Sequence, residues 1–179
     1  MLKIEIPAAE LFNESDQTFA EKQGVALSLE HSLVSVSKWE SKWCVPFLSK
    51  TEKTEDQMLD YIKGMTLTQN VDDSVYMQLS ADNFDAIKEY IDLPMSATIV
   101  IDRDRKTSRE IITAEIIYYW MIVLNVPFEC QKWHLNRLLM LINVCSIKQQ
   151  DPKKMHGKAL AQENMTINAA RRAKMNSKG

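Results

Sequence analysis

Apolar and polar residues alternate at the start of the chain, in the segment LKIEI of residues 2–6. Val25, Leu27 and Leu29 repeat the same two-residue spacing. Because successive side chains of a strand point to opposite faces, this alternation predicts two short strands, each with one buried side. A β-branched run at residues 97–101 fits a further short strand.

The spacing of apolar residues becomes helical after the second predicted strand. Residues 32–43 are ambiguous, because their apolar positions fit both one face of a helix and one face of a strand. We favour a helix that begins at about Ser32 and ends before the Val45-Pro46 dipeptide, since a residue that precedes proline avoids helical geometry.

Hydroxyl residues mark three further helix starts. Thr54 precedes Gln57 by three positions, and Thr107 precedes Glu110 by three. Each pair is the signature of a capping box, in which both side chains bond to unpaired backbone groups of the first helical turn. Ser80 marks the remaining start. These positions predict helices that begin directly after residues 54, 80 and 107.

Residues 111–124 are apolar on almost all sides of a helix. This pattern predicts a helix that is buried on most of its surface. The Val126-Pro127 dipeptide ends it, and apolar residues at helical spacing predict the next helix over about residues 129–147. The two form an αα-hairpin, residues 107–148, which we predict to be the centre of the core. The predicted fold class is therefore mainly α with a few short N-terminal strands, as a helical bundle around this hairpin.

Composition and charge divide the chain into two parts. Its 179 residues are 45% hydrophobic and 26% charged, which is enough to fold one domain around one core. Residues 151–179 carry seven basic and two acidic side chains, a net charge of +5, whereas the first 150 residues carry −7. Apolar content also falls after Pro152. We predict a mostly helical globular body, residues 1–150, and a basic, mobile C-terminal helix or tail, residues 151–179.

The three cysteines, Cys44, Cys130 and Cys145, are an odd number and far apart in sequence. They do not indicate a disulfide framework, which favours a reducing compartment. The N-terminal residues lack the basic segment and long apolar stretch of a secretory signal. The longest apolar run, residues 116–124, is about half of what a bilayer-spanning helix needs. We therefore expect an intracellular protein without a membrane span.

The residue pattern does not indicate a metal site or a catalytic site. Cys130 and His134 are four positions apart and fit one helix face, but no second Cys/His pair supplies the other two ligands of a structural zinc site. We interpret Cys130 and Cys145 as small apolar core residues. The four glycines are dispersed, which excludes a phosphate-binding loop, and no G-x-S-x-G elbow is present. We predict no enzyme, no metal and no cofactor.

Six residues are candidate partner-binding positions: Trp39, Trp43, Trp133, Arg171, Arg172 and Lys174. The first two fall on one helix face, where core packing is the more frequent explanation and a docking anchor is the alternative. Trp133 carries the same ambiguity. The three basic residues can contact a partner protein or nucleic acid; we rank nucleic acid lower, because the tail lacks interleaved aromatic residues for base stacking.

Four segments of the chain resemble a set of small bacteriophage proteins: SLEHSLVSVSKWESKWCVPFL (28–48), REIITAEIIYYWMIVLNVPFECQKWHLNRLLMLINVCSIK (109–148), DPKKM (151–155) and NAARRAKMNSKG (168–179). They are similar to the tail assembly chaperones of long-tailed phages, which are encoded upstream of the tape measure protein. The stretch YYWMIVLNVPFECQKWHLNRLL is the specific part of the resemblance.

The resemblance implies a helical protein that acts in the host cytoplasm. Such a protein binds the long, apolar, helical tape measure protein, keeps it soluble, and helps recruit tail tube subunits during tail assembly. It implies no catalytic residues. The ten methionines fit this role to a small degree, because the flexible thioether adapts to irregular partners.

Two other classes of protein remain alternatives. A structural virion protein of the neck, tail or baseplate shares the compact helical body and the lack of catalytic groups. A nucleic-acid-binding accessory protein would use the basic tail. The sequence leaves open whether the chain forms a homo-oligomer.

Overall fold

The computed structural model describes residues 1–13, 18–22, 24–99, 111–149 and 157–175. These residues contain four short strands, seven α-helices and one 3₁₀ helix. In chain order they are Leu2–Ile6 (β1), Ala9–Asn13 (β2), Thr18–Lys22 (β3), Val25–Leu29 (β4), Leu33–Trp43 (α1), Glu55–Met65 (α2), Asp73–Tyr76 (α3), Ala81–Asp92 (α4), Ala114–Val123 (α5), Phe128–Lys132 (the 3₁₀ helix), Leu135–Gln149 (α6) and Gly157–Met175 (α7). The predicted class, mainly α with a few short N-terminal strands, is confirmed.

The two strands predicted from alternation pair with each other. β1 and β4 are antiparallel, with Leu2 opposite Leu29 and Ile4 opposite Leu27. Every second side chain is buried, so one face of this two-stranded sheet lies on the core. The pattern did not predict β2 and β3, which pair with each other as a second antiparallel ribbon.

The helix favoured over residues 32–43 is confirmed as α1. The Ser32 hydroxyl accepts a hydrogen bond from the backbone N–H of Ser35, which caps the first turn. The helix ends at Cys44, which adopts left-handed backbone angles directly before Val45-Pro46. Helix α1 contacts α2, α5 and the 3₁₀ helix. Helix α1 therefore joins α2 to the elements of the predicted hairpin, α5 and the 3₁₀ helix.

Two of the predicted helix starts are present with capping hydrogen bonds. Thr54 and Gln57 form a capping box at the start of α2. Ser80 forms a capping box with Asn83 at the start of α4. The start predicted at residues 107–110 lies outside the described residues. Of the run predicted as a strand at 97–101, residues 97–99 are described and lie outside any strand.

The helix predicted over about residues 129–147 is interrupted at its beginning. A 3₁₀ helix covers Phe128–Lys132, and α6 begins only at Leu135. The interruption comes from a long-range contact, because the backbone N–H of Leu135 donates to the carbonyl of His31 at 2.7 Å. Ser32 and His134 form an isolated β-bridge beside it. The chain is therefore extended where the uninterrupted helix was predicted.

The burial of α5 and α6 leads to a stability prediction. Leu138 in α6 is fully buried, whereas Ile122 in α5 is 61% exposed. We expect Leu138→Ala to lower the free energy of unfolding by about 3 kcal/mol, because it removes buried surface and leaves a cavity. Ile122→Ala should cost less than about 1 kcal/mol. Urea denaturation followed by circular dichroism measures both, and equal losses would show that Ile122 is covered in solution.

Candidate functional site

Helix α5 exposes a large part of its apolar surface. Three of its residues are fully buried: Ala114, Ile117 and Met121. On the other side, Tyr119, Ile122 and Val123 are 61%, 61% and 51% exposed. Ile122 and Val123 lie three and four positions after Tyr119, so both share a helix face with it. The prediction that this helix is buried on most of its surface is therefore wrong. Among the described elements α5 packs mainly on α1 and α6, which leave Tyr119, Ile122 and Val123 exposed.

The turn after α5 adds an aromatic ring to this surface. Phe128 is 51% exposed, and its ring centroid lies 6.3 Å from that of Tyr118. The Tyr118 hydroxyl donates to Oε1 of Gln131 at 2.9 Å, which holds the 3₁₀ helix against α5. Phe128 thus contacts α5 through Tyr118, which lies one helical turn before Ile122. We call Tyr119, Ile122, Val123 and Phe128 the apolar face.

The start of α5 is fixed by a buried carboxylate from another helix. Thr113 occupies the N-cap position but makes no side-chain capping bond. Glu40 of α1 replaces it, because its Oε2 accepts from the N–H of Ala114 at 2.7 Å. Its Oε1 accepts from the N–H of Phe47, also at 2.7 Å. Glu40 is buried and thereby joins α1, the following loop and the helix that carries the apolar face.

Two of the candidate tryptophans belong to the interior side of α1. Trp39 is 2% exposed, and its Nε1–H donates to the carbonyl of Gln57 at 2.8 Å, so this ring packs in the core. Trp43 is half-buried, 6.4 Å from Trp39 between ring centroids, and its Nε1–H donates to Asp60 at 2.9 Å. Burial raises the pKa of the Asp60 carboxyl, but hydrogen bonds from Lys42 and Trp43 outweigh it and leave this pKa below its usual value.

The other candidates lie on different elements. Trp133 is half-buried, and the guanidinium of Arg137 lies 4.2 Å from its ring centroid, within cation–π range. Arg171, Arg172 and Lys174 are exposed on α7. Lys174 donates to the carbonyl of Ser96, in the segment after α4, at 3.1 Å. The structure thus brings Trp39 and Trp43 together, while Trp133 and the basic residues belong to separate parts of the chain.

Cys130 and His134 do not share a helix face as their spacing predicted. Cys130 is buried in the 3₁₀ helix, and burial raises the pKa of its thiol, which favours the neutral form. His134 precedes α6, and its Nε2 bonds to the carbonyl of Tyr90 at 3.0 Å. Within the described ranges, no three His, Cys, Asp or Glu side chains are arranged to hold a metal ion.

No sequence pattern indicated a buried cluster around His31 and His134. The rings of His31 and His134 are 5.0 Å apart, and Nδ1 of His31 lies 2.5 Å from the Tyr61 hydroxyl. Because Nε2–H of His134 donates to the Tyr90 carbonyl, its Nδ1 is free to accept from the N–H of Asn136 at 3.3 Å. This arrangement suits a neutral imidazole. Burial, followed by the proximity of His134, lowers the pKa of His31 to about 3.

Comparison of the chain with protein-family models, with curated protein sequences and with solved structures found no match. None of the helices in the described ranges combines the length and the hydropathy needed to cross a bilayer. The apolar face is taken as the candidate site because it exposes four large apolar side chains.

Proposed function

We propose that this protein is a phage tail assembly chaperone that binds the helical tape measure protein, keeps it soluble, and helps recruit tail tube subunits in the host cytoplasm. The observation that carries the proposal is the apolar face of α5, which lies within the stretch that most specifically resembles this class. The resemblance supplies the identity of the client. The face supplies a surface suited to it.

The chemistry of the face fits a helical, apolar client. Tyr119, Ile122 and Val123 form a ridge along one side of a helix, and such ridges pack into the grooves of a second helix. Exposed aromatic and aliphatic side chains gain free energy when a partner removes them from water. Because Glu40 holds the start of α5, the face is formed before the client arrives, which reduces the entropy cost of binding.

A co-expression experiment tests the proposal. The client is the proposed one, a tape measure protein, produced with either the wild-type chain or Ile122→Asp. We expect the wild type to keep most of the client in the supernatant after centrifugation, and Ile122→Asp to lose most of this effect, because a charge on the face opposes its burial. Met165→Asp is the matched control, since Met165 is 70% exposed on α7 and lies outside the face.

Thermal melts of both variants separate loss of binding from loss of folding. Ile122 and Met165 are both largely exposed, so both variants should melt close to the wild type. A client that stays equally soluble with Ile122→Asp would contradict the role of the face. Mass spectrometry of purified particles tests the virion alternative, because a chaperone is absent from the mature particle and a structural protein is present in stoichiometric amounts.

A further inference from the structure

A second apolar surface lies between α2, α3 and α4. It is an open groove of about 460 Å³. Five apolar side chains account for most of its lining: Met58, Leu59, Met77, Leu79 and Phe84. Met77 is 74% exposed, although the other apolar side chains of the groove lie close to it. Methionine side chains adapt to partners of irregular shape, and such grooves accept the apolar side of an amphipathic helix.

The helices around the groove carry the negative charge of the molecule. Residues 51–92 contain ten acidic and three basic side chains, a net charge of −7, which equals the net charge of the first 150 residues. Glu55 lines the groove itself. Exposed carboxylates on α4 include Asp82, two positions before Phe84, and Asp85, one position after it.

The basic residue in the lining, Lys53, is directed toward the aromatic core. Its Nζ lies 4.6 Å from the ring centroid of Phe47 and 5.9 Å from that of Trp39. Burial lowers the pKa of Lys53. Lys53 is thus half-buried, whereas Glu55 and the two α4 carboxylates are exposed to an approaching partner.

We infer that this groove binds a basic amphipathic α-helix of a partner protein. Large apolar side chains on one face of that helix fill the space between Met58, Met77 and Phe84, and its lysines or arginines lie against the surrounding carboxylates. The negative charge around the groove favours a positively charged partner helix, because carboxylates on that helix would be repelled at the rim. No residue of α5 lines the groove, so this inference goes beyond the proposed function and does not depend on it.

Binding of labelled model peptides to the full-length protein tests the inference. The probe is a Leu/Lys peptide of about 18 residues, five helical turns, and its matched control is a Leu/Glu peptide with the same apolar face. We expect fluorescence anisotropy to show that the Leu/Glu peptide binds at least about tenfold more weakly. Added salt should weaken the Leu/Lys complex without abolishing it, since screening affects the charges and leaves the apolar contacts.

Paired variants locate the binding site. Met77→Ser and Glu55→Gln should each weaken binding of the Leu/Lys peptide by about threefold to tenfold. The first removes an apolar contact, and the second removes a charge at the rim of the groove. Met165→Ser and Glu115→Gln are the matched controls and should bind as the wild type does. Met165 is an exposed methionine on α7, and Glu115 is an exposed first-turn acid on α5.

Three results would overturn the inference. Equal binding of both peptides would show that charge does not select the partner. Unchanged affinity in Met77→Ser and Glu55→Gln would place the peptide elsewhere on the acidic surface. Self-association that competes with the peptide and disappears in Met77→Ser would identify a second copy of this chain as the occupant.

Discussion

Replacing Glu40 with alanine should lower the free energy of unfolding by about 3–5 kcal/mol. The buried carboxylate accepts two hydrogen bonds of 2.7 Å, one from Phe47 and one from Ala114. Each bond to a charged group contributes about 1.5–3 kcal/mol, and its loss leaves a buried N–H without a partner. Urea denaturation followed by circular dichroism measures the change.

Two further variants separate the hydrogen bonds from the charge. Glu40→Gln keeps one acceptor oxygen but turns an NH₂ group toward the other N–H donor. This variant should therefore lose about half as much stability as Glu40→Ala. Glu89→Ala, at an exposed position of α4, should stay within about 0.5 kcal/mol of the wild type. A loss below about 1 kcal/mol in Glu40→Ala would show that water replaces the carboxylate and that α5 does not depend on it.

The same substitution also links stability to the proposed function. Because Glu40 anchors the first residue of α5, its loss should loosen the helix that carries the apolar face. Amide hydrogen exchange in α5 should then increase more than exchange in α2, whose N-terminus has its own capping box.

Local signals in the sequence predicted the elements that depend on local chemistry. The alternation in residues 2–6 and 25–29 predicted β1 and β4, because one face of each strand is buried. The hydroxyl residues Thr54 and Ser80 predicted the starts of α2 and α4, since a capping box involves residues only three positions apart.

Long-range contacts decided the features that the sequence did not reveal. Glu40 caps α5 from 74 positions away, and the carbonyl of His31 sets where α6 begins. An all-apolar helix gives no sign of which side the rest of the chain covers, so the exposure of Ile122 was not predictable from periodicity. The groove between α2, α3 and α4 likewise combines side chains from three helices, and the sequence of any one of these helices does not indicate a groove.

The free energy of unfolding should fall in mildly acidic solution, below about pH 6.5. In the folded protein burial lowers the pKa of His31 to about 3, and burial also lowers that of His134. In the unfolded chain both return to about 6.5. The unfolded state therefore binds more protons below that pH, and stability is lost as the pH falls from about 6.5 toward the folded pKa.

The expected slope for His31 alone is about 1.4 kcal/mol per pH unit. His134 adds to it over a narrower range, because the Tyr90 carbonyl and the Glu30 carboxylate partly favour its charged form. The groups that face the pair are the hydroxyl of Tyr61 and the Glu30 carboxylate, which accepts from Tyr90 at 2.7 Å. The Tyr61 hydroxyl suits a neutral His31, whereas Glu30 favours charge on His134. Two charged rings 5.0 Å apart would repel each other.

Urea melts at about pH 7, 6 and 5 measure this loss while most carboxylates remain ionised. Proton NMR of the His31 ring supplies the direct readout. In the folded protein its resonance should not titrate between about pH 7.5 and 5, whereas in high urea it should titrate near 6.5. A folded resonance that titrates above about pH 6, or a flat stability between pH 7 and 5, would mean that water or a rearranged Tyr61 solvates the charged ring, and that the buried histidine pair does not limit the acid stability of the fold.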